Sequence, residues 1–284
     1  MRRMLIVGAI ATAISLVIVP TVAAITFGEP DENRHPNVGA MLVDFGGDVV
    51  PFCSGSLIAS DVFLTAAHCI VGVEQIAEEE GVEPKFLVSF DEELGEFPEG
   101  EFDIHGFELA AGVTLLPGDP VFDERFGTGG ASRPFDIAVI LLDADVGGIQ
   151  PVELPTEGYL SELKAQHALS SQTFAAVGYG AVRDDFTGGF DNILNEDVFR
   201  LVAMQSALNV QKQWLLLSMN PNTGSGGTCY GDSGGPHFAD SIDPNLQVSI
   251  TITGDAVCKA TDLTYRLDTP EARGFLSEFV DLPT

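Results

Sequence analysis

Basic residues are scarce. The 284-residue chain carries 13 Lys+Arg against 42 Asp+Glu, a formal net charge of −29. A surface of that sign repels nucleic acid and anionic membranes, which excludes partners of either kind. It keeps a protein soluble in an extracellular or salty medium, and it would attract basic substrates. There are five histidines and four cysteines, with no His/Cys/Glu cluster at zinc spacing. Residues 222–227 are glycine-rich but lack Gly-Lys-Ser/Thr, which excludes a phosphate loop. Residues 74–101 hold eleven acids and one lysine, Lys85, without EF-hand spacing. Such a run reads as a solvated face or a mobile loop, with a strand at Phe86-Leu87-Val88 inside it.

Long apolar runs are missing too, apart from one. Residues 4–19 are almost wholly apolar, follow Arg2 and Arg3, and end at Pro20, and Val22-Ala23-Ala24 supplies small residues before a cleavage point. This is the pattern of a secretory signal peptide over residues 1–24. Sixteen residues fall short of the roughly 20 needed to span a bilayer. Cleavage removes two arginines and no acid, leaving a more acidic chain that begins at Ile25. The expected location is extracellular or periplasmic, with no membrane attachment after cleavage. Four cysteines in an exported chain imply two disulfides, with three connectivities open.

What is present is concentrated at Gly231-Asp232-Ser233-Gly234-Gly235-Pro236. Glycines on both sides of a serine permit positive φ and let consecutive N–H groups converge. A hydroxyl beside converging N–H donors is what acyl transfer requires. A serine also needs a base, and the base an orienting carboxylate. His68 lies in Thr65-Ala66-Ala67-His68-Cys69, where small neighbours leave room beside the ring. Asp136 enters the apolar run Ile137-Ala138-Val139-Ile140-Leu141-Leu142, where an unpaired acid would cost several kcal/mol, of the order of 2–7, to bury. The motif Gly231-x-Ser233-x-Gly235 also fits the nucleophile elbow of an α/β-hydrolase. That fold needs an acid and then a histidine after the serine, and His237 alone follows, four residues on.

These three stretches, in the order His, Asp, Ser, resemble the signature motifs of the chymotrypsin/trypsin-like serine proteases of the secreted, bacterial type. The resemblance runs from about Ile25 to the C-terminus and is weakest over residues 71–133, where the His-to-Asp spacing exceeds the family's habit. It implies an all-β fold of two six-stranded antiparallel barrels with a short C-terminal helix. Residues 25–146 would form the barrel carrying His68 and Asp136, and residues 147–284 the barrel carrying Ser233, with the active site in the cleft between. The implied activity is a secreted serine endopeptidase that acts on proteins or peptides as a monomer. A catalytically silent relative that only binds partners is the alternative. The resemblance implies Cys53–Cys69 and Cys229–Cys258 as the disulfide pairs and the N–H groups of Gly231 and Ser233 as the oxyanion hole. Gly227 would floor the primary pocket and Gly254 line its wall, with Leu263 narrowing the base. An uncharged floor favours apolar or aromatic side chains before the cleaved bond. The new amine of Ile25 would pair with Asp232, although Ile25-Thr26-Phe27-Gly28 departs from the family's Ile-Val-Gly-Gly. No cofactor is expected, calcium on the acidic run being the exception that relatives bring to mind.

The local pattern supplies the rest. A hairpin is expected over residues 38–50 and strands over 52–57, 62–66, 137–142, 173–177, 199–202, 214–219, 247–253 and 263–267. Residues 118–134 read as a loop and 143–151 as a linker. A closing helix is expected over 270–280, with Ala272, Phe275 and Phe279 on one face. His35 and His105 fall in polar loops, His167 in a polar segment, His237 in a strand, and Trp214 in the core.

Overall fold

The computed structural model describes residues 25–98, 103, 105–132, 134–182, 197–241 and 243–284. The signal-peptide reading of residues 1–24 lies outside the described residues. In chain order the elements are β1 (Glu29–Pro30), β2 (Val38–Asp44), β3 (Val49–Ala59), β4 (Val62–Thr65), α1 (Ala67–Glu80), β5 (Lys85–Ser89), β6 (Glu93–Glu96), β7 (Glu108–Leu109), β8 (Leu116–Phe122) and β9 (Ala138–Leu142). There follow α2 (Tyr159–Ala165), β10 (Thr173–Gly178), β11 (Asp197–Phe199), β12 (Leu201–Val210), β13 (Trp214–Ser218), β14 (Pro236–Phe238), β15 (Gln247–Gly254), β16 (Thr261–Arg266) and α3 (Pro270–Leu276).

Strands β2-β3-β4-β9-β8-β5 close into one barrel. Strands β12-β10-β14-β15-β16-β13 close into a second, since β12 bends to pair with both β10 and β13. All these pairings are antiparallel, so the two expected barrels are present. β1, first in the chain, pairs with β12 of the second barrel. A separate three-stranded sheet, β11-β6-β7, stands beside them. The hairpin between β2 and β3 turns at Gly46-Gly47, where Asp44 Oδ1 accepts from the Gly47 N–H at 2.6 Å. α3 begins with Thr269 as its cap and buries Ala272, Phe275 and Leu276; it is shorter than the 270–280 expected, with the Phe279 ring still packed at a tilt against Phe275, centroids 5.1 Å apart.

Two expectations need correcting. The segment entered by His68 is the first turn of α1, a 14-residue helix, so part of the acidic run is helical. Ala67, Ile70, Val73 and Ala77 recur at helical spacing and are buried, while Glu74, Glu78, Glu79 and Glu80 are left outside. The usual start signal is missing, since Ala66 offers no capping side chain, and three acids oppose the dipole at the C-terminal end. Gly81, at φ 70°, ends the helix. The second correction is β8, which occupies the start of the expected 118–134 loop. Pro117, Gly118 and Pro120 read as breakers, yet β8 pairs with β5 only at Leu116 and Pro117. Beyond that point one side of the strand asks nothing of a missing N–H.

A buried ion pair ties the N-terminal segment to both barrels. Arg200 and Asp31 are both fully buried, with Arg200 Nε donating to Asp31 Oδ2 at 2.9 Å. The guanidinium also donates to Val38 O, Phe90 O, the Tyr179 hydroxyl and Asn33 Oδ1. Asp31 accepts from the backbone and ring of His35 as well. Burial alone would raise the Asp31 pKa, but hydrogen bonds from His35 and the charges of His35 and Arg200 outweigh it and hold Asp31 at about 2.

Arg200→Ala should lower the unfolding free energy by about 3–5 kcal/mol, because it leaves Asp31 buried without its cation. The folded pKa of Asp31 lies below its ordinary 3.8, so its contribution is complete above that value and disappears as pH falls through about 2. Urea midpoints measured from pH 5 to pH 2 should fall over this window in the wild type, and less steeply in Asp31→Asn.

Candidate active site

Asp136 lies two residues before β9, and His68 opens α1 against the end of β4. Asp136 is 5% exposed and receives two bonds from one residue. The His68 N–H donates to Oδ1 at 2.9 Å, and His68 Nδ1 lies 2.9 Å from Oδ2. A carboxylate only accepts, so the neutral ring carries its proton on Nδ1 and leaves Nε2 as an acceptor. The ring is one-third exposed, enough to meet a ligand. Phe135, just before the aspartate, adopts φ 49°, a costly conformation for a phenylalanine, and stacks under Arg125 at 4.4 Å.

Ser233 sits half-buried in a turn whose glycines are required by its shape. Gly231 takes φ 96°, and a Cβ there would lie 2.9 Å from Gly180 Cα. Gly234 takes φ 78°, and its Cβ would meet Thr65 Oγ1 at 2.2 Å and Ala66 N at 2.8 Å. The serine turn is therefore pressed against the chain just before His68. Among the described residues the N–H groups of Gly231 and Ser233 have no hydrogen-bond partner, and no hydrogen bond joins Ser233 to the His68 ring. Serine–histidine contacts of this kind often tighten only around substrate.

Ser54, in β3, holds the turn and was not legible from the sequence. Its N–H donates to Ser233 O at 2.9 Å, and its hydroxyl donates to Gly231 O at 3.0 Å. The same hydroxyl accepts from the Tyr179 N–H at 3.0 Å. Thr65 Oγ1 in turn donates to Ser54 O. Both disulfides implied by the resemblance are formed: Cys53–Cys69 beside His68 and Cys229–Cys258 behind the serine turn.

Asp232 is fully buried, and its two oxygens accept from the N–H groups of Gly180 and Cys229, each at 2.8 Å. Burial pushes its pKa up to about 7; the two N–H donors work against this and the charge of Asp262 adds to it. Among the described residues no cation pairs with it. Ile25 is also fully buried, packed with Val182, Leu201 and Ala203, and the next residue accepts from Gly227 N at 2.9 Å.

Gly227 and Gly254 flank one side chain, that of Met219. A Cβ on Gly227 would lie 2.3 Å from Met219 Cγ, and one on Gly254 3.6 Å from Met219 Cε. Leu263 is half-buried and pairs with Leu216. Asp262, next to it, was missed by the sequence reading. It is fully buried, accepts from Gln205 Nε2 at 3.0 Å and Thr228 Oγ1 at 2.8 Å, and leaves Oδ1 without a partner among the described residues. Only the adjoining glycine gave a signal, since Asp262 pairs in register with Gly254. His237 lies in β14, its Nε2 2.9 Å from Thr251 Oγ1. Burial lowers its pKa, with Asp262 opposing, so the ring is neutral. His35 is buried with Asp31, and His105 is exposed with Asp48.

The family model described as Trypsin matches residues 26–89 and 121–267. A solved structure of HL collagenase resembles the chain with a TM-score of 0.56 at 16% sequence identity, over 86% of this chain and 93% of that one. At that identity the likeness concerns the fold.

Ser54→Ala removes the hydroxyl that bridges Gly231 and Tyr179 while keeping the backbone bond to Ser233. It should cost about 1–3 kcal/mol in denaturant unfolding, the range for leaving buried polar groups unpaired. Hydrogen exchange should quicken at Tyr179 if the bridge is as described.

Proposed function

The chain belongs to the trypsin family of serine proteases, and we propose that it is an exported endopeptidase that cleaves proteins or peptides through an acyl-enzyme. The observation that carries this is the two-point hold of Asp136 on His68, beside a serine turn with two N–H groups that have no partner among the described residues. Ser233 attacks the scissile carbonyl. His68 Nε2 takes its proton and returns it to the leaving amine, while Asp136 keeps Nδ1 protonated and stabilises the imidazolium. The N–H groups of Gly231 and Ser233 receive the oxyanion. A silent relative that only binds partners would be expected to lack one of these groups. Reaction with an active-site-directed phosphonate separates the two readings. Export is supported by the two disulfides, which persist outside reducing compartments.

Ile25 and Asp232 form the activation pair in this proposal. A buried carboxyl held at about 7 calls for a cation, and the chain puts Ile25 in the interior. Signal cleavage after Ala24 would turn the Ile25 amide into an ammonium able to reach Asp232.

Specificity has two readings. The uncharged floor at Gly227 favours an apolar or aromatic residue before the cleaved bond. Asp262 Oδ1, buried and without a partner among the described residues, favours a cationic one instead, Asp262 being joined to this region through Thr228, which follows Gly227, and Gln205. A peptide library cleaved by the wild type and by Asp262→Asn decides between them: a shift away from Arg and Lys in the variant supports the second, and an unchanged apolar profile the first.

Ser233→Ala and His68→Ala should each lower kcat by several orders of magnitude, with the double variant no worse than either, since the residues act as a unit. Multiplicative losses would count against the assignment. N-terminal sequencing of the secreted enzyme should read Ile25. One residue added before Ile25, or Asp232→Asn, should remove most activity. The folded pKa of Asp232 in the unprocessed chain is raised above 3.8, so that chain should lose stability as pH climbs from about 4 to about 7. The processed form, with its ammonium, should lose less, and paired urea titrations measure the gap.

A further inference from the structure

Cys53, His68 and Cys69 bring three metal-ligating side chains to one point. The two sulfurs and a ring nitrogen of His68 all lie within 4.8 Å of one another. Chain order hides the cluster, since Cys53 comes from β3 and His68-Cys69 from the first turn of α1. In the structure the sulfurs are bonded to each other, and it is the thiolate, not the disulfide, that binds a metal. Among the described residues no cluster of this kind includes Cys229 or Cys258.

Opening the Cys53–Cys69 bond supplies the missing ligands. A reductant leaves two thiols, and a thiophilic divalent cation takes them as thiolates while two protons pass to solvent. Tetrahedral zinc, with Zn–S bonds of about 2.3 Å and a Zn–N bond of about 2.0 Å, holds its ligand atoms a little under about 4 Å apart. The freed sulfurs must draw apart to reach that spacing, and the spread of the cluster must close by at most about 1 Å. Small reagents have a way in, because Cys53 lines an apolar cavity of about 260 Å³ together with Phe52, Tyr230 and Gly231. Cys69 Sγ lies 3.8 Å from Ser233 O, which sets the cluster against the serine turn. The orienting partner is also in place. A metal-bound histidine usually donates its other N–H to a carboxylate, and Asp136 stands 2.9 Å from His68 Nδ1.

We infer that reduction of Cys53–Cys69 converts this corner of the site into a Cys2His centre for zinc or cadmium, and that the bound cation stops catalysis. Only the inhibitory half rests on the endopeptidase reading above. The cation takes the histidine out of service as the base for Ser233. Three protein ligands leave the fourth position of a tetrahedral ion to water. The disulfide thus keeps the imidazole free of metal as well as bracing the chain beside it.

The test uses the secreted enzyme reduced by tris(carboxyethyl)phosphine, which yields two thiols and a phosphine oxide whose oxygen comes from water. After the phosphine is removed, micromolar zinc should lower ester hydrolysis at least tenfold, and a chelator should restore it. The unreduced enzyme should be indifferent to the same zinc. Cys53→Ala/Cys69→Ala, treated alike, should also be indifferent. Cadmium reads the site without activity, through its thiolate-to-metal absorption. The reduced wild type should bind one more cadmium ion per chain than the reduced double variant. In His68→Ala, which keeps every cysteine and serves if the double variant does not fold, that ion should bind at least tenfold more weakly. Equal zinc inhibition of reduced and unreduced enzyme, no additional cadmium ion, or equal affinity in His68→Ala overturns the inference. So does loss of the circular dichroism of the fold on reduction. The expected cadmium binding in a chain that hydrolyses no ester and ignores the phosphonate supports the metal centre and overturns the endopeptidase reading.

Discussion

The Arg200 guanidinium is the constraint on which the arrangement of the molecule depends. Its Nε, Nη1 and Nη2 reach Asp31 and Asn33 in the N-terminal segment, Val38 at the start of β2, Phe90 after β5, and Tyr179 after β10. A single buried cation thus joins both barrels and the segment that leads in from Ile25. Desolvating such a charge is expensive, and only near-complete hydrogen bonding makes it tolerable. Arginine suits the position because its planar fork can serve several acceptors at once, where a lysine would present one point of charge. Tyr179 passes the constraint on: its hydroxyl meets Arg200 and its N–H meets Ser54, which holds the serine turn.

The site is consequently assembled across the seam between barrels. His68 and Asp136 belong to the first barrel, and Ser233 to the second. What fixes their relative position is backbone: Ser54 N–H on Ser233 O, and the Gly234 turn pressed on Thr65 and Ala66. Contacts of this kind tolerate no Cβ at Gly234, which explains why the serine is embedded in glycine. Asp232 works from behind the same turn. Its carboxylate gathers the N–H groups of Gly180 and Cys229, so its charge state bears on the shape of the turn that presents Gly231.

The two barrels were readable in the sequence, and each residue of the candidate site carried a local signal. Ser233 stood in its glycines, His68 among alanines, and Asp136 at the mouth of an apolar run. The disulfide pairing came from resemblance, since four cysteines alone leave three choices. α1 was not readable, because its first end is marked by no capping side chain and its acids sit at the unfavourable end, which left Gly81 as its one signal. β8 was hidden by two prolines that cost nothing where the strand has a neighbour on one side only. Ser54 and Asp262 were beyond reach for a different reason. Each acts through partners far away in the chain, Ser54 through Gly231 and Asp262 through Thr228 and Gln205, and no local pattern announces such contacts. The third sheet is of the same kind, since β6 and β11 are about a hundred residues apart.

The pairing of β1 with β12 has a consequence for biogenesis. Glu29 faces Val202 and Pro30 faces Leu201, so β1 finds its neighbour only after about 170 further residues have been made. Contacts so distant in sequence form slowly, because a long loop must close before they return any stabilisation. A ribosome or a translocation channel delivers the chain from its N-terminus, and the first barrel can close before the second exists. The N-terminal strand must therefore stay extended and unclaimed through most of synthesis, available to chaperones and proteases alike. Completion of the second barrel is the event that captures it.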